Sequence, residues 1–321
     1  MPSSYEDEIA RLRRCEDQPD ALDTTEVLRS GLKHRSNLVA QRAARIAEEQ
    51  RRDELQSELL QAYQRFLRDP TKKDPGCVAK TAIVKALREI EFDDFDFVLA
   101  GIKYRQPESG FGQPSDAAAE LRVICCFALA ELGYAGLSRI MADLLADQDK
   151  TARAGAARVI AWANRPESEP LLRLKVHLGD EFAEVLGECF QGLLKLAPDD
   201  SIPLVVEKLN SQQRDVAYEA AIALGESRQP AAIEPLKRLT SPSLDSELQR
   251  AATLALALTQ HQDAIDHLFS LVSPDDLAAA KAAISALRHC RDQEAITSRL
   301  NEKTSDLGHK ELERHFREEF R

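Results

Sequence analysis

The sequence predicts an all-α fold, an α-α superhelix in which about eight helical hairpins stack side by side and a capping helix closes each end. Three observations predict it. Alanine pairs at Ala220-Ala221, Ala251-Ala252 and Ala282-Ala283 lie in helix-forming runs and recur every 31 residues, a period characteristic of stacked two-helix units. Prolines Pro170, Pro203 and Pro235 follow at intervals of 33 and 32 residues, at the expected starts of first helices, where a missing N–H leaves nothing unsatisfied. Aromatic residues make up only 5 % of the chain and β-branched runs are short, so no strand pattern competes. Because each unit contacts only its neighbours, the 321 residues read as one solenoid rather than two domains.

In chain order, residues 1–22 read as an N-terminal cap, with Ile9 and Leu12 on one side of a helix from Tyr5 to Cys15. Residues 23–117 form divergent repeats. Thr24 or Thr25 caps a helix to about Leu32, and Ser36 caps one from Asn37 to Glu49. Leu55–Leu67 and Val78–Ile90 make the next hairpin, joined by DPTKKDPG, and Phe95–Lys103 opens a third. After it the stretch YRQPESGFGQPS delays the following helix to near Ser115. Long loops on a regular scaffold often carry function, so Tyr104, Arg105 and Phe111 are candidate contact residues, against the alternative of a flexible insertion. Residues 118–292 are regular, with helix pairs ending near Leu132, Ala163, Leu196, Leu224, Leu258 and Leu287. In residues 293–321, Leu312, Phe316 and Phe320 form one apolar stripe among charges, which suits a C-terminal cap.

The 54 acidic and 43 basic residues give a net charge of −11. Nucleic acid and anionic membranes require a cationic surface, so neither is expected as the main partner. No apolar run approaches a membrane span. The first residues, MPSSYEDEIARLRR, carry no secretory apolar stretch, which leads us to expect a cytoplasmic protein. Cys15, Cys77, Cys125, Cys126, Cys189 and Cys290 form no CxxC pairing and read as free thiols. Cys77 follows Pro75-Gly76 at a helix start, where the dipole would lower its pKa.

Motifs for chemistry are missing. HExxH, GxxxxGK[ST], GxSxG and a His-Glu dipeptide do not occur, and the seven histidines are scattered. No catalytic, cofactor or metal residue is assigned, and no cofactor is expected.

Segments such as DLLADQDKTARAGAARVIAWA and DVAYEAAIALGES resemble HEAT repeats, in particular the short type found in phycobiliprotein lyases and many bacterial proteins. The resemblance is strongest from Asp147 to Cys290 and implies an Asp–Arg ladder between units. Asp149 with Arg153 and Asp116 with Arg122 fit that ladder, while Leu186, Ala217 and Leu248 interrupt it. It also implies that second helices line the concave, binding face. Aligning them on Ala156, Cys189, Ala220, Ala251 and Ala282 turns one set of columns inward and leaves three outward, at 100° per residue. The outward set includes Thr253, Ala257 and Ile284, and provides the candidate binding residues. These are Arg158, Trp162, Glu184, Glu188, Gln191, Lys195, Asp215, Tyr218, Glu219, Glu226, Arg250, Lys281 and Arg288. The middle is acidic and the borders carry Arg158 and Trp162 on one side, Arg250, Lys281 and Arg288 on the other. The expected function is a non-catalytic scaffold that takes a protein or peptide with basic segments. The resemblance also raises a phycobiliprotein chromophore lyase and, against the acidic face, a HEAT-like DNA alkylpurine glycosylase using Trp162 and Arg158.

Overall fold

The computed structural model describes residues 5–109, 115–241 and 246–320. The chain divides into two compact units, residues 1–159 and 160–321. Both are built from α-helices and short 3-10 turns, and the only strand pairing among the described residues is a two-residue ladder.

The first unit contains α1 (Tyr5–Asp17), α2 (Thr24–Lys33), α3 (Asn37–Glu49), α4 (Gln56–Leu67), the single turn α5 (Pro70–Lys73), α6 (Val78–Glu89), α7 (Phe95–Lys103), α8 (Ala119–Glu131) and α9 (Leu137–Leu145). The helix α10 (Lys150–Ala163) runs across the division. Hairpins α2–α3, α4–α6 and α7–α8 stack through their second helices, α3 on α6 and α6 on α8, while α1 covers the first hairpin. Of the expected pair Leu12 is buried and Ile9 half-buried, and Cys15 is buried beside them.

Second helices end alike in this unit. Arg51, Glu91 and Gly133 take positive φ (49°, 58° and 69°) two residues beyond the last helical residue. The next N–H, of Arg52, Phe92 or Tyr134, reaches back to the carbonyl of Ala47, Leu87 or Leu129. These bonds satisfy carbonyls that a helix end leaves open.

The connection from α7 to α8 is anchored in the fold. The ladder of β1 (Pro107–Glu108) and β2 (Ser115–Asp116) pairs Pro107 with Asp116 and Glu108 with Ser115. The carboxylate of Glu108 accepts the Gly76 N–H at 2.9 and 3.0 Å, and the buried Gln106 donates to the Asp74 carbonyl at 2.8 Å. Tyr104 donates its hydroxyl to Gln106 at 2.9 Å, and Arg105 binds Asp147 at 2.8 Å. Tyr104 and Arg105 therefore fasten the loop to its own unit. Phe111 lies outside the described residues.

Of the two expected ladder pairs, Asp116 with Arg122 is formed. Arg122, fully buried, binds both Asp116 and Asp147 (3.0 Å to the latter). Arg153 donates to the Asp147 carbonyl at 2.9 Å, while Asp149 caps the Thr151 N–H. In Asp116 and Arg122 the acid precedes the base by six residues as expected, whereas Asp149, four residues before Arg153, is engaged as a cap. Asp74 and Lys80 repeat the spacing, both fully buried with Nζ 2.8 Å from Oδ2, and Asp74 also accepts the N–H of Ala79 and Lys80 in the first turn of α6. Cys77 is buried there with φ 56°, and burial pushes its thiol up to about 11, the reverse of the shift expected from a helix dipole.

The second unit contains α11 (Glu169–Leu178), α12 (Ala183–Leu196), α13 (Pro198–Lys208), α14 (Arg214–Ser227), α15 (Ile233–Arg238), α16 (Ser246–Thr259), α17 (Gln262–Leu271), α18 (Leu277–Leu287), α19 (Gln293–Leu307) and α20 (Lys310–Glu319). They form five successive hairpins whose second helices, α12, α14, α16, α18 and α20, pack in series. Both members of all three alanine pairs except Ala282 are buried. The gain is close approach, since a Cβ on Gly225 of α14 would stand 2.4 Å from the Ala255 carbonyl oxygen of α16. Of the three periodic prolines, Pro203 lies inside α13, which starts at Pro198.

Candidate functional site

The site is the exposed face of the second helices in the second unit. An α-helix turns 100° per residue, so its outward positions follow from where it is buried. On α12 they are Glu184, Gln191 and Lys195, with Glu188 half-buried, and on α14 they are Asp215, Tyr218 and Glu226, with Glu219 half-buried. These agree with the expected columns.

On α16 and α18 the face is rotated. Thr253, Ala257 and Ile284, expected outside, are buried, and Leu254, Ser285 and His289 take the exposed side. The reason is one additional residue before α16, so that 32 residues separate Asp215 from Glu247 where 31 separate Glu247 from Ala278. Adjacent alanines conceal the slip in the sequence, because either alanine of a pair satisfies an inward position.

Glu219 lies at the centre of an acidic cluster. Burial pushes its carboxyl above the usual range, and the carboxylates of Glu184, Glu226 and Asp215 push it further in the same direction. It reaches that place because residue 187 is glycine: a Cβ there would stand 2.4 Å from the Glu219 Oε2. Gln191 donates to Glu226 at 2.7 Å. Neither Asp215 nor Glu219 makes an ion pair with a described residue. Tyr218, 44 % exposed, stands next to these carboxylates in sequence, and Trp162 of α10 is 46 % exposed. Arg158, one turn earlier, is exposed but falls in the first unit.

Two cations of the basic border are ion-paired. Lys281 binds Glu311 of α20 at 2.5 Å and Arg288 binds Glu319 at 2.7 Å. The His315 ring nitrogen lies 3.1 Å from the Ser285 hydroxyl. Two of the three cations of this border thus also hold the last hairpin. Arg250 remains exposed and makes no ion pair with a described residue.

Between the two sides runs an open groove of about 830 Å³. Asp215, Tyr218 and Glu247 stand at one side of its lining, Lys281, His289 and His315 at another, over Leu254 and a floor of alanines. Glu247, Leu254, Ser285, His289 and His315 were not among the residues expected. Their signal in the sequence was the 32-residue step. Among the described residues no group of three His, Cys, Asp or Glu side chains is placed to hold a metal, and no helix is long and apolar enough to cross a membrane.

Helical hairpins packed through their second helices define an α-helical repeat protein. Residues 173–257 match the family model for HEAT repeats. That match places HEAT repeats at residues 173–257 within this α-helical repeat architecture. Comparison with curated proteins finds no match. Among solved structures it is similar to an engineered protein (18 % identity, TM-score 0.39), covering 97 % of this chain and 91 % of that one. It is also similar to Kap121p (13 % identity, TM-score 0.48), covering 92 % of this chain and 37 % of that one. A third is the complex of CpcE and CpcF of phycocyanin lyase from Nostoc sp. (18 % identity, TM-score 0.37), covering 88 % of this chain and 94 % of that one. The chain spans little more than a third of Kap121p. At such identities and scores these likenesses carry no argument about what the chain binds.

Proposed function

We propose that the chain is a non-catalytic protein-interaction scaffold, and that the second-helix face of its second unit holds a basic segment of a partner protein. The observation that carries this reading is the acidic cluster, in which Glu219 is held among Glu184, Glu226 and Asp215 with its carboxyl pushed up. Like charges gathered around Glu219 destabilise the free protein, and a Lys or Arg brought beside Asp215 and Glu219, neither of which makes an ion pair with a described residue, relieves that repulsion. Tyr218, beside the cluster in sequence and 44 % exposed, supplies the kind of aromatic anchor that interfaces use. The six cysteines are all buried and unbridged, which fits a reducing compartment such as the cytoplasm.

The test is titration of a labelled lysine-rich peptide by fluorescence anisotropy. Charge reversal of Asp215 and Glu219 together to Lys is expected to weaken binding by at least about tenfold, since close charge pairs across an interface couple by more than 1.4 kcal/mol. Both side chains are on the solvent side of α14, so helicity by circular dichroism should be unchanged. Affinity that stays the same in the double variant would remove this face from consideration.

A further inference from the structure

We infer that the partner segment is of mixed character, carrying an apolar side chain and a carboxylate beside its basic residues, because the acidic cluster continues into a groove in which the exposed Arg250 guanidinium has no ion-pair partner among the described residues. This rests on the reading of the cluster as a basic-segment site. The link is Asp215, which both raises the Glu219 carboxyl and lines the groove.

The groove offers a distinct chemistry. Leu254 and the alanines of the lining give an apolar floor, where a hydrocarbon side chain displaces water. Short side chains at Ala251 and Ala282 leave room for that side chain. Of the two cations in the lining, Lys281 is neutralised by Glu311. Arg250 is exposed and has no ion-pair partner among the described residues. A segment that was basic throughout would bring a cation against Arg250. A carboxylate at that point accepts the two parallel N–H bonds a guanidinium presents.

Three labelled peptides decide the matter: a lysine-rich one, the same peptide extended by leucine and glutamate residues, and that extension with lysine in place of glutamate. The glutamate extension is expected to bind the wild-type chain about tenfold more tightly than the lysine extension, and Arg250→Glu to reverse that order. Equal binding of the two extensions, or a preference that survives Arg250→Glu, would overturn the inference while leaving the basic-segment reading intact. Failure of the lysine-rich peptide itself to bind would overturn both.

Discussion

At the scale of single residues, conformation and charge make separate claims. Glu91 adopts φ 58° at the position where the next hairpin has Gly133, and no described side chain pairs with it. A side chain in the left-handed region costs roughly 1 kcal/mol. Glu91→Gly is therefore expected to stabilise the fold by about 0.5–1 kcal/mol, read as a shift of the urea midpoint without a change in slope. Loss of stability would mean that the Glu91 side chain holds something beyond the turn. Glu219 has the opposite balance of charge and fold. Its carboxyl is raised by burial and by three neighbouring acids, so the folded state binds a proton more readily than the unfolded chain and loses stability as pH rises past the ordinary carboxylate value. Glu219→Gln should be more stable than wild type near neutral pH, with the difference closing as pH falls below about 4.5. A difference independent of pH would show that charge is not its source. The glycine at 133 announces its turn in the sequence. Arg51 and Glu91 do not, because the same backbone is imposed on them by the hairpin that follows.

At the scale of elements, the first unit depends on the buried pair Asp74 and Lys80, which fixes the start of α6 and, through the neighbouring Gly76 and the Asp74 carbonyl, the loop before α8. Removing one partner leaves a charge in a fully enclosed place. Asp74→Ala is expected to destabilise the unit by about 3–5 kcal/mol, whereas Asp74→Asn with Lys80→Met should lose much less. Equilibrium unfolding of both variants checks this, and a double variant as unstable as the single one would point to lost capping rather than lost charge. The six-residue spacing from acid to base was present at 74, 116 and 147 in the sequence, but its meaning required knowing which turn faces which. The rotation of α16 and α18 has the same origin. A single added residue ahead of a helix turns its whole face by 100°, and runs of alanine give no local sign of it.

For the molecule as a whole, a repeat array adds stability one interface at a time, so its ends are its weakest points. In the second unit α20 closes the series by burying Leu312 and Phe316 and by binding Lys281 and Arg288. Ending the chain at Gly308 removes two buried side chains and is expected to destabilise that unit by about 3–6 kcal/mol, at about 1.5–3 kcal/mol for each. In hydrogen exchange α18 should lose protection first, and protection in α18 that matches the full chain would show that α20 is not structural. The sequence by itself determined the all-α hairpin repeat, the inward alanine and leucine columns and the acidic centre around Glu219. Each of these is written in a period carried within one helix. Only the tertiary structure decided which way α16 and α18 face, that Lys281 and Arg288 serve α20, and that Asp147 rather than Asp149 joins the ladder. Those outcomes depend on side chains about thirty residues apart, and their meeting is set by loop length and helix rotation, which no local pattern records.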